Sequence, residues 1–246
     1  MPMIVADSKR IPLADGSVDC VVSSPPYWGL RAYGDSDAEL GRGDSLASFV
    51  AGLVDVAREC RRVLRPDGTM WWNLGDTASG SGGSGGDYNA GGSKDGRRKW
   101  KQGESGMARG TWCGVPNLVA DALRADGWLV RCEIVWDKGQ ERRESLSHVR
   151  RPRPAHEMVF MLAPAMGYRF WTERLTETGS VWHFPPSSGS GNGDAPFPDE
   201  LPTRCIAPAT EPGDLVLDPF AGSGTTLRAA EAIDRRALGL DLYVGP

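Results

Sequence analysis

The stretch Asp218-Pro219-Phe220-Ala221-Gly222-Ser223-Gly224-Thr225-Thr226 limits what this chain can fold into more than any other part of it. An apolar run, Asp214–Leu217, leads into it, and a helical pattern to about Ile233 leads out. Strand, tight turn and helix in that order make the unit in which a glycine turn approaches a ligand. Gly222 and Gly224 permit the sharp backbone path, and the start of the helix offers unpaired N–H groups. The turn lacks the Lys-Ser/Thr ending of a phosphate loop, and Leu227 stands where a dinucleotide turn has its third glycine. Asp218, at the strand tip, is placed to hold an ammonium group. Asp241 comes 23 positions later, at the end of the run Ala237–Leu240, a spacing that suits a carboxylate binding ribose hydroxyls. A nucleoside carrying a cationic amino acid meets both demands.

The second constraint lies near the other end of the chain. Ser24-Pro25-Pro26-Tyr27 follows Val18–Ser23, an uninterrupted buried-strand run. Two prolines fix φ and remove two backbone donors, so the segment presents mainly carbonyls. A base amino group is a poor nucleophile because its lone pair is delocalised into the ring. Two acceptors on its two hydrogens, Ser24 Oγ and the Pro25 carbonyl, favour a pyramidal nitrogen with the lone pair turned outward. Tyr27 can stack on the ring face, offsetting part of the few kcal/mol needed to draw a base from a duplex.

Between the two loops the pattern alternates strands with helices. Met3–Ala6, Thr69–Leu74, Trp128–Trp136 and Glu157–Leu162 read as further strands, Ser45–Leu64 and Val115–Ala125 as helices, and Phe197–Ile206 as a helix start. Arg65-Pro66-Asp67-Gly68 reads as a turn. This order predicts an α/β fold, a mostly parallel sheet with helices on both faces, in one domain spanning 1–246. Residues 78–112 and 139–155 read as inserted segments, the first containing the Gly/Ser stretch 80–96.

The formal net charge of −4 argues against indiscriminate nucleic-acid binding, but its distribution is uneven. Residues 91–155 hold 14 Lys+Arg against 8 Asp+Glu, leaving the remainder at −10. A basic insert on an acidic scaffold can meet a polyanion locally. Five scattered cysteines without a C-x-x-C pair signal neither a metal site nor a redox pair. They fit a cytoplasmic protein, as does an N-terminus without a signal-peptide run, and no apolar run reaches membrane-spanning length.

Together the two loops resemble the amino-methyltransferases of DNA, which make N4-methylcytosine or N6-methyladenine: SPPY is similar to their catalytic motif and DPFAGSGTT to their cofactor motif. The catalytic motif comes first here, which resembles the β class. That class implies a circularly permuted Rossmann-like methyltransferase fold in which the last strands pack beside the first. The resemblance implies S-adenosyl-L-methionine as cofactor, double-stranded DNA as partner and base flipping. It makes Ser24, Pro25, Pro26 and Tyr27 catalytic. Cofactor contacts fall on Asp7, Phe197, Pro198, Asp218, Pro219, Phe220, Ala221, Gly222, Ser223, Gly224, Thr225 and Asp241. Asp7 takes the position that contacts the adenine. Phe197-Pro198, with Leu201 to Ile206, takes the segment that holds the methionine part; the family's histidine just before it is missing, with Asp194 nearby instead. Trp71–Asp76 and Ile134–Lys138 resemble family strands. Ser24 in first position resembles the cytosine-N4 enzymes more than the adenine-N6 ones. Carbon-5 methylation needs a cysteine nucleophile, typically after proline, and the chain has no Pro-Cys pair.

Two basic groups, Arg97, Arg98, Lys99 and Lys101 around Trp100, and Arg142, Arg143, Arg150, Arg151 and Arg153, are expected to hold phosphates or read guanine edges. Trp28, beside Tyr27, is expected to line the base pocket. His156 and His183 read as structural. An RNA or protein-amide methyltransferase, and an inactive DNA-binding module, are the competing readings. No metal is expected. A homodimer and a cognate restriction endonuclease are left open.

Overall fold

The computed structural model describes residues 2–29, 39–41, 44–80, 103–139, 150–187 and 197–243. Its strands are β1 (Met3–Val5), β2 (Val18–Ser23), β3 (Leu64–Leu74), β4 (Leu129–Asp137), β5 (His156–Ala163), β6 (Val181–His183), β7 (Leu215–Asp218) and β8 (Arg236–Asp241). They form one sheet in the order β1-β8-β7-β2-β3-β5-β4-β6. Among the described strands β5 alone runs against the rest, antiparallel to both β3 and β4. The permuted arrangement is present: β1 lies parallel to β8 and β2 parallel to β7, so the first strands are inserted beside the last.

Among the described residues four α-helices cover the faces: α1 (Leu46–Val63), α2 (Val115–Ala125), α3 (Glu200–Ile206) and α4 (Thr225–Glu231). Phe49, Leu53, Val56, Ala57, Cys60 and Val63 give α1 an apolar stripe, buried throughout. Ser45 starts the helix, its hydroxyl accepting from the Ser48 N–H at 3.1 Å. Gly114 precedes α2 and has no side chain with which to cap it. Asp76, after β3, takes over that task and accepts from the Gly114 and Val115 N–H groups at 3.0 and 2.9 Å. Burial raises the Asp76 pKa, against the lowering effect of those bonds.

The central strands are buried on both faces, as a doubly covered sheet requires. Val21, Met70 and Trp72 face α1 and α2, while Val22, Trp71 and Val216 face α3 and α4 with Leu201, Ile206, Leu227 and Ala230. At the far end of the sheet Arg169 ties β2 to β7, donating to Asp19 at 2.6 Å and Asp214 at 3.0 Å.

Residues 65–68 do not form a separate turn but a bulge inside β3. Val18 pairs with Leu64 and Cys20 with Thr69, so the extra residues are looped out while pairing continues. Residues 197–199 precede α3 rather than belonging to it, and Val181–His183 forms an edge strand on β4. No described helix is long and apolar enough to cross a membrane.

Leu53 is fully buried at the centre of α1. Leu53→Ala should lower stability by about 2–5 kcal/mol. In urea titrations this appears as a lower midpoint with an unchanged slope.

Candidate active site

Every strand except β5 ends at one edge of the sheet, and the sequence motifs are the loops leaving those ends. The helices after β2 and after β7 cover opposite faces, so the chain direction reverses between these neighbours. In open α/β sheets such a reversal leaves a crevice beyond the carboxyl ends of the strands, where ligands bind.

Asp218 closes the bottom of that crevice. It is 2% exposed. Its Oδ1 accepts from Ser23 Oγ at 2.5 Å and from the Phe220 N–H at 3.0 Å, and its Oδ2 from Thr226 Oγ1 at 2.6 Å. Burial pushes its pKa up to about 6, while these three bonds pull the other way. An ammonium-holding Asp218 is therefore corrected: the carboxylate faces inward and both oxygens are taken by the loops it joins. The buried Ser8 hydroxyl donates to the Pro219 carbonyl and adds the β1 loop to the assembly.

The glycine turn rises from this base. Gly222 and Gly224 have φ of +50° and +77°, conformations that favour glycine. Asp241, at the tip of β8, accepts from the Gly222 N–H at 2.8 Å through Oδ2 and from Tyr243 through Oδ1. Asp7, after β1, accepts from the Lys9 N–H at 2.9 Å. Arg228 of α4 reaches the Ser223 carbonyl at 2.8 Å and Asp199 at 3.6 Å. It thereby links the turn to Asp199, the residue after Phe197-Pro198. Asp7, Asp241, the turn 218–225 and Phe197-Pro198 thus gather at one edge.

Ser24-Pro25-Pro26-Tyr27 leaves the neighbouring strand, and its tyrosine is held by residues the sequence reading did not select. Tyr27 Oη donates to Glu157 Oε2 at 2.6 Å. Asn73 Nδ2 reaches Glu157 Oε2 at 2.8 Å, Tyr27 Oη at 3.1 Å and Ser24 Oγ at 3.5 Å. Lys138 Nζ pairs with Glu157 Oε1. Gly75 gives the ring its room, since a Cβ there would fall 2.5 Å from Tyr27 Cε2. The available signal was a polar residue inside the strand TMWWNL, buried in a run of apolar neighbours. His156 is exposed, and His183 pairs with Asp137 at 3.0 Å.

Trp28 does not line a pocket. It is 1% exposed, packs in the core under α1 and donates to the Asp44 carbonyl, because an indole this large is most stable with its apolar surface buried. Arg97, Arg98, Lys99, Lys101, Arg142 and Arg143 lie outside the described residues. Arg150, Arg151 and Arg153 lead into β5 at the motif-bearing edge. The Arg151 guanidinium sits 4.7 Å from the ring centre of Trp112, which is 38% exposed. Among the described residues no His, Cys, Asp and Glu cluster could hold a metal ion.

Residues 18–244 match the N6/N4 methyltransferase family model, described as DNA methylase. The Type II methyltransferase M.Cfr9I of Citrobacter freundii is 38% identical, over 95% of this chain and 79% of its own. The Type II methyltransferase M.SmaI of Serratia marcescens is 35% identical, over 98% and 86%. Among solved structures, the cytosine-N4-specific PvuII DNA methyltransferase has the same fold: TM-score 0.73, 18% identity, 98% of this chain and 81% of that one. The Thermus thermophilus protein TTHA0409, complexed with S-adenosyl-L-methionine, gives a TM-score of 0.66 at 27% identity, over 98% and 88%.

Asp218 titrates near 6 in the fold against an ordinary 3.8. Its stabilising contribution is therefore complete below about pH 4 and is lost as pH rises through 6. Urea midpoints of the wild type should fall relative to those of Asp218→Asn between pH 4 and pH 7. A gap constant over that range would contradict the assignment.

Proposed function

The chain belongs to the DNA methylase family acting on N6 and N4 amino groups, and on that footing we propose that it methylates N4 of cytosine in double-stranded DNA. It is a site-specific DNA methyltransferase that uses S-adenosyl-L-methionine. Support for the site comes above all from one observation: Ser23, just before the catalytic motif, and Asp218, the first residue of the cofactor motif, are hydrogen-bonded at the reversal point of the sheet. Cytosine is preferred to adenine because a serine, Ser24, opens the catalytic motif. The Type II designation of both relatives supports a restriction endonuclease of matching specificity as a partner.

The residues present fit the cofactor. Among the described residues a Cβ at Gly222 would meet nothing nearer than the Phe220 carbonyl at 4.0 Å, which leaves room beside the glycine turn. Asp7 and Asp241 are acceptors suited to the amino and hydroxyl groups of a nucleoside. Phe197 and Pro198 close the methionine side. When bound, S-adenosyl-L-methionine supplies an electrophilic methyl group.

The chain's own part is placement. Ser24 Oγ and the Pro25 carbonyl accept the two hydrogens of the amino group, and its lone pair turns toward the crevice. Tyr27 offers the ring face that receives the extruded base. Bringing nucleophile and electrophile together in line contributes most of the acceleration, of the order of 7–11 kcal/mol in well-oriented reactions. The nitrogen loses its proton after the transfer. Arg150, Arg151 and Arg153 grip the DNA backbone beside this edge.

Nucleosides from DNA treated with enzyme and cofactor should contain N4-methylcytosine by mass spectrometry; N6-methyladenine instead would reassign the base, and neither would refute the activity. Ser24→Ala and Tyr27→Ala should reduce turnover at least 10-fold, while calorimetric cofactor affinity stays near wild type; Asp241→Ala should show the reverse. Arg151→Ala should weaken DNA binding and make the slope of log K against log[salt] shallower by about one.

A further inference from the structure

We propose that Glu157 is a positioning residue for methyl transfer, acting through the Tyr27 hydroxyl and the Asn73 amide to fix the motif that receives the base. The inference rests on the reading of Ser24 and Tyr27 given above and adds residues from two other strands. Glu157 is the second residue of β5, Asn73 lies near the end of β3, and Lys138 follows β4. Their convergence depends on sheet register: Asn73 pairs with Val159, two residues beyond Glu157 on the same face, and Trp136 pairs with Glu157, two residues before Lys138.

Three features distinguish this group from an ordinary surface ion pair. The Glu157 and Lys138 side chains are only 13% and 24% exposed, so the pair is largely removed from water. Separating such partners leaves a desolvated charge behind, and the pair therefore resists rearrangement. One Glu157 oxygen, Oε2, accepts from both Tyr27 Oη and Asn73 Nδ2, while Lys138 occupies the other. Asn73 is 1% exposed, and its Oδ1 has no hydrogen-bond partner among the described residues. An unmatched buried carbonyl of this kind carries a desolvation penalty. The Asn73 amide is oriented instead toward Glu157, Tyr27 and Ser24, the three groups its nitrogen reaches.

The reaction explains why such rigidity is useful. An amino nitrogen conjugated to its ring attacks only when its hydrogens and ring plane are held in one orientation. A displacement of about 1 Å in such a site can lower the rate about 100-fold. Tyr27 follows two prolines in the loop after β2; the Glu157 bond fixes its hydroxyl and the space over Gly75 receives its ring.

The test is a double-mutant cycle of Glu157→Gln and Tyr27→Phe, read with PCR-amplified bacterial genomic DNA, which carries no modified bases. Tritium transfer at saturating DNA gives kcat, DNA titration gives KM, and calorimetry gives S-adenosyl-L-methionine affinity. Each single variant should lower kcat by 10- to 100-fold, with KM and cofactor affinity within about twofold of wild type. The double variant should be no slower than the slower single variant, because both substitutions break one path. Wild-type kcat in Glu157→Gln would overturn the proposal, and so would losses that multiply in the double variant. Should Glu157→Gln fail to fold, Tyr27→Phe alone decides: it removes the hydroxyl and keeps the ring, and unchanged kcat there overturns it. Absence of methyl transfer by the wild type would instead remove the activity on which the inference rests.

Discussion

The hydrogen bond between Ser23 and Asp218 organises this molecule. It joins two parallel strands at their tips, just where each releases a functional loop. A carboxylate that is 2% exposed is destabilised by desolvation, and three donors from three separate positions offset that penalty. Removing water is therefore what makes the junction selective. Only when β2, the glycine turn and the start of α4 are all in place are the donors present together. The crevice on the motif-bearing edge, the acidic tips of β1 and β8, and the Pro-Pro-Tyr loop are arranged around this point.

The architecture was legible wherever periodicity and burial coincide. The stripe Leu46, Phe49, Leu53, Ala57 along one helix face predicts α1 to within a residue, and α2 falls on Val115–Ala125 as read. The strands are visible because both faces are buried, so VDCVVS and LVLD carry no polar alternation. Where the reading failed, long-range pairing outweighed local preference. Arg65-Pro66-Asp67-Gly68 has the composition of a turn, yet β3 continues past it along β2 and absorbs it as a bulge. Val181–His183 is too short to announce itself and becomes a strand by lying along β4.

The site divides in the same way. Its loops were legible because proline and glycine impose backbone conformations that local sequence declares. The residues behind the loops were not, because Asn73, Lys138 and Glu157 meet only through the register of β3, β5 and β4. His156, the more conspicuous neighbour, points to solvent, while Glu157 turns in; on a strand, adjacent side chains face opposite ways. Asp218 and Trp28 carried the opposite lesson. Both sit beside the right motif, but one is buried to bond the loops together and the other to fill the core.

The insertion of β2 beside β7 also sets the order in which the molecule can assemble. Ser23 and Asp218 are 195 positions apart. Closing so long a segment carries an entropic penalty that local contacts cannot repay early, and non-local parallel pairing is slow. The hairpin-like β4–β5 pair and the α1–α2 contact join nearer neighbours and close shorter segments. The catalytic loop is translated long before β7, the strand beside which β2 packs. In this topology the two halves of the site come together only where the last strands meet the first.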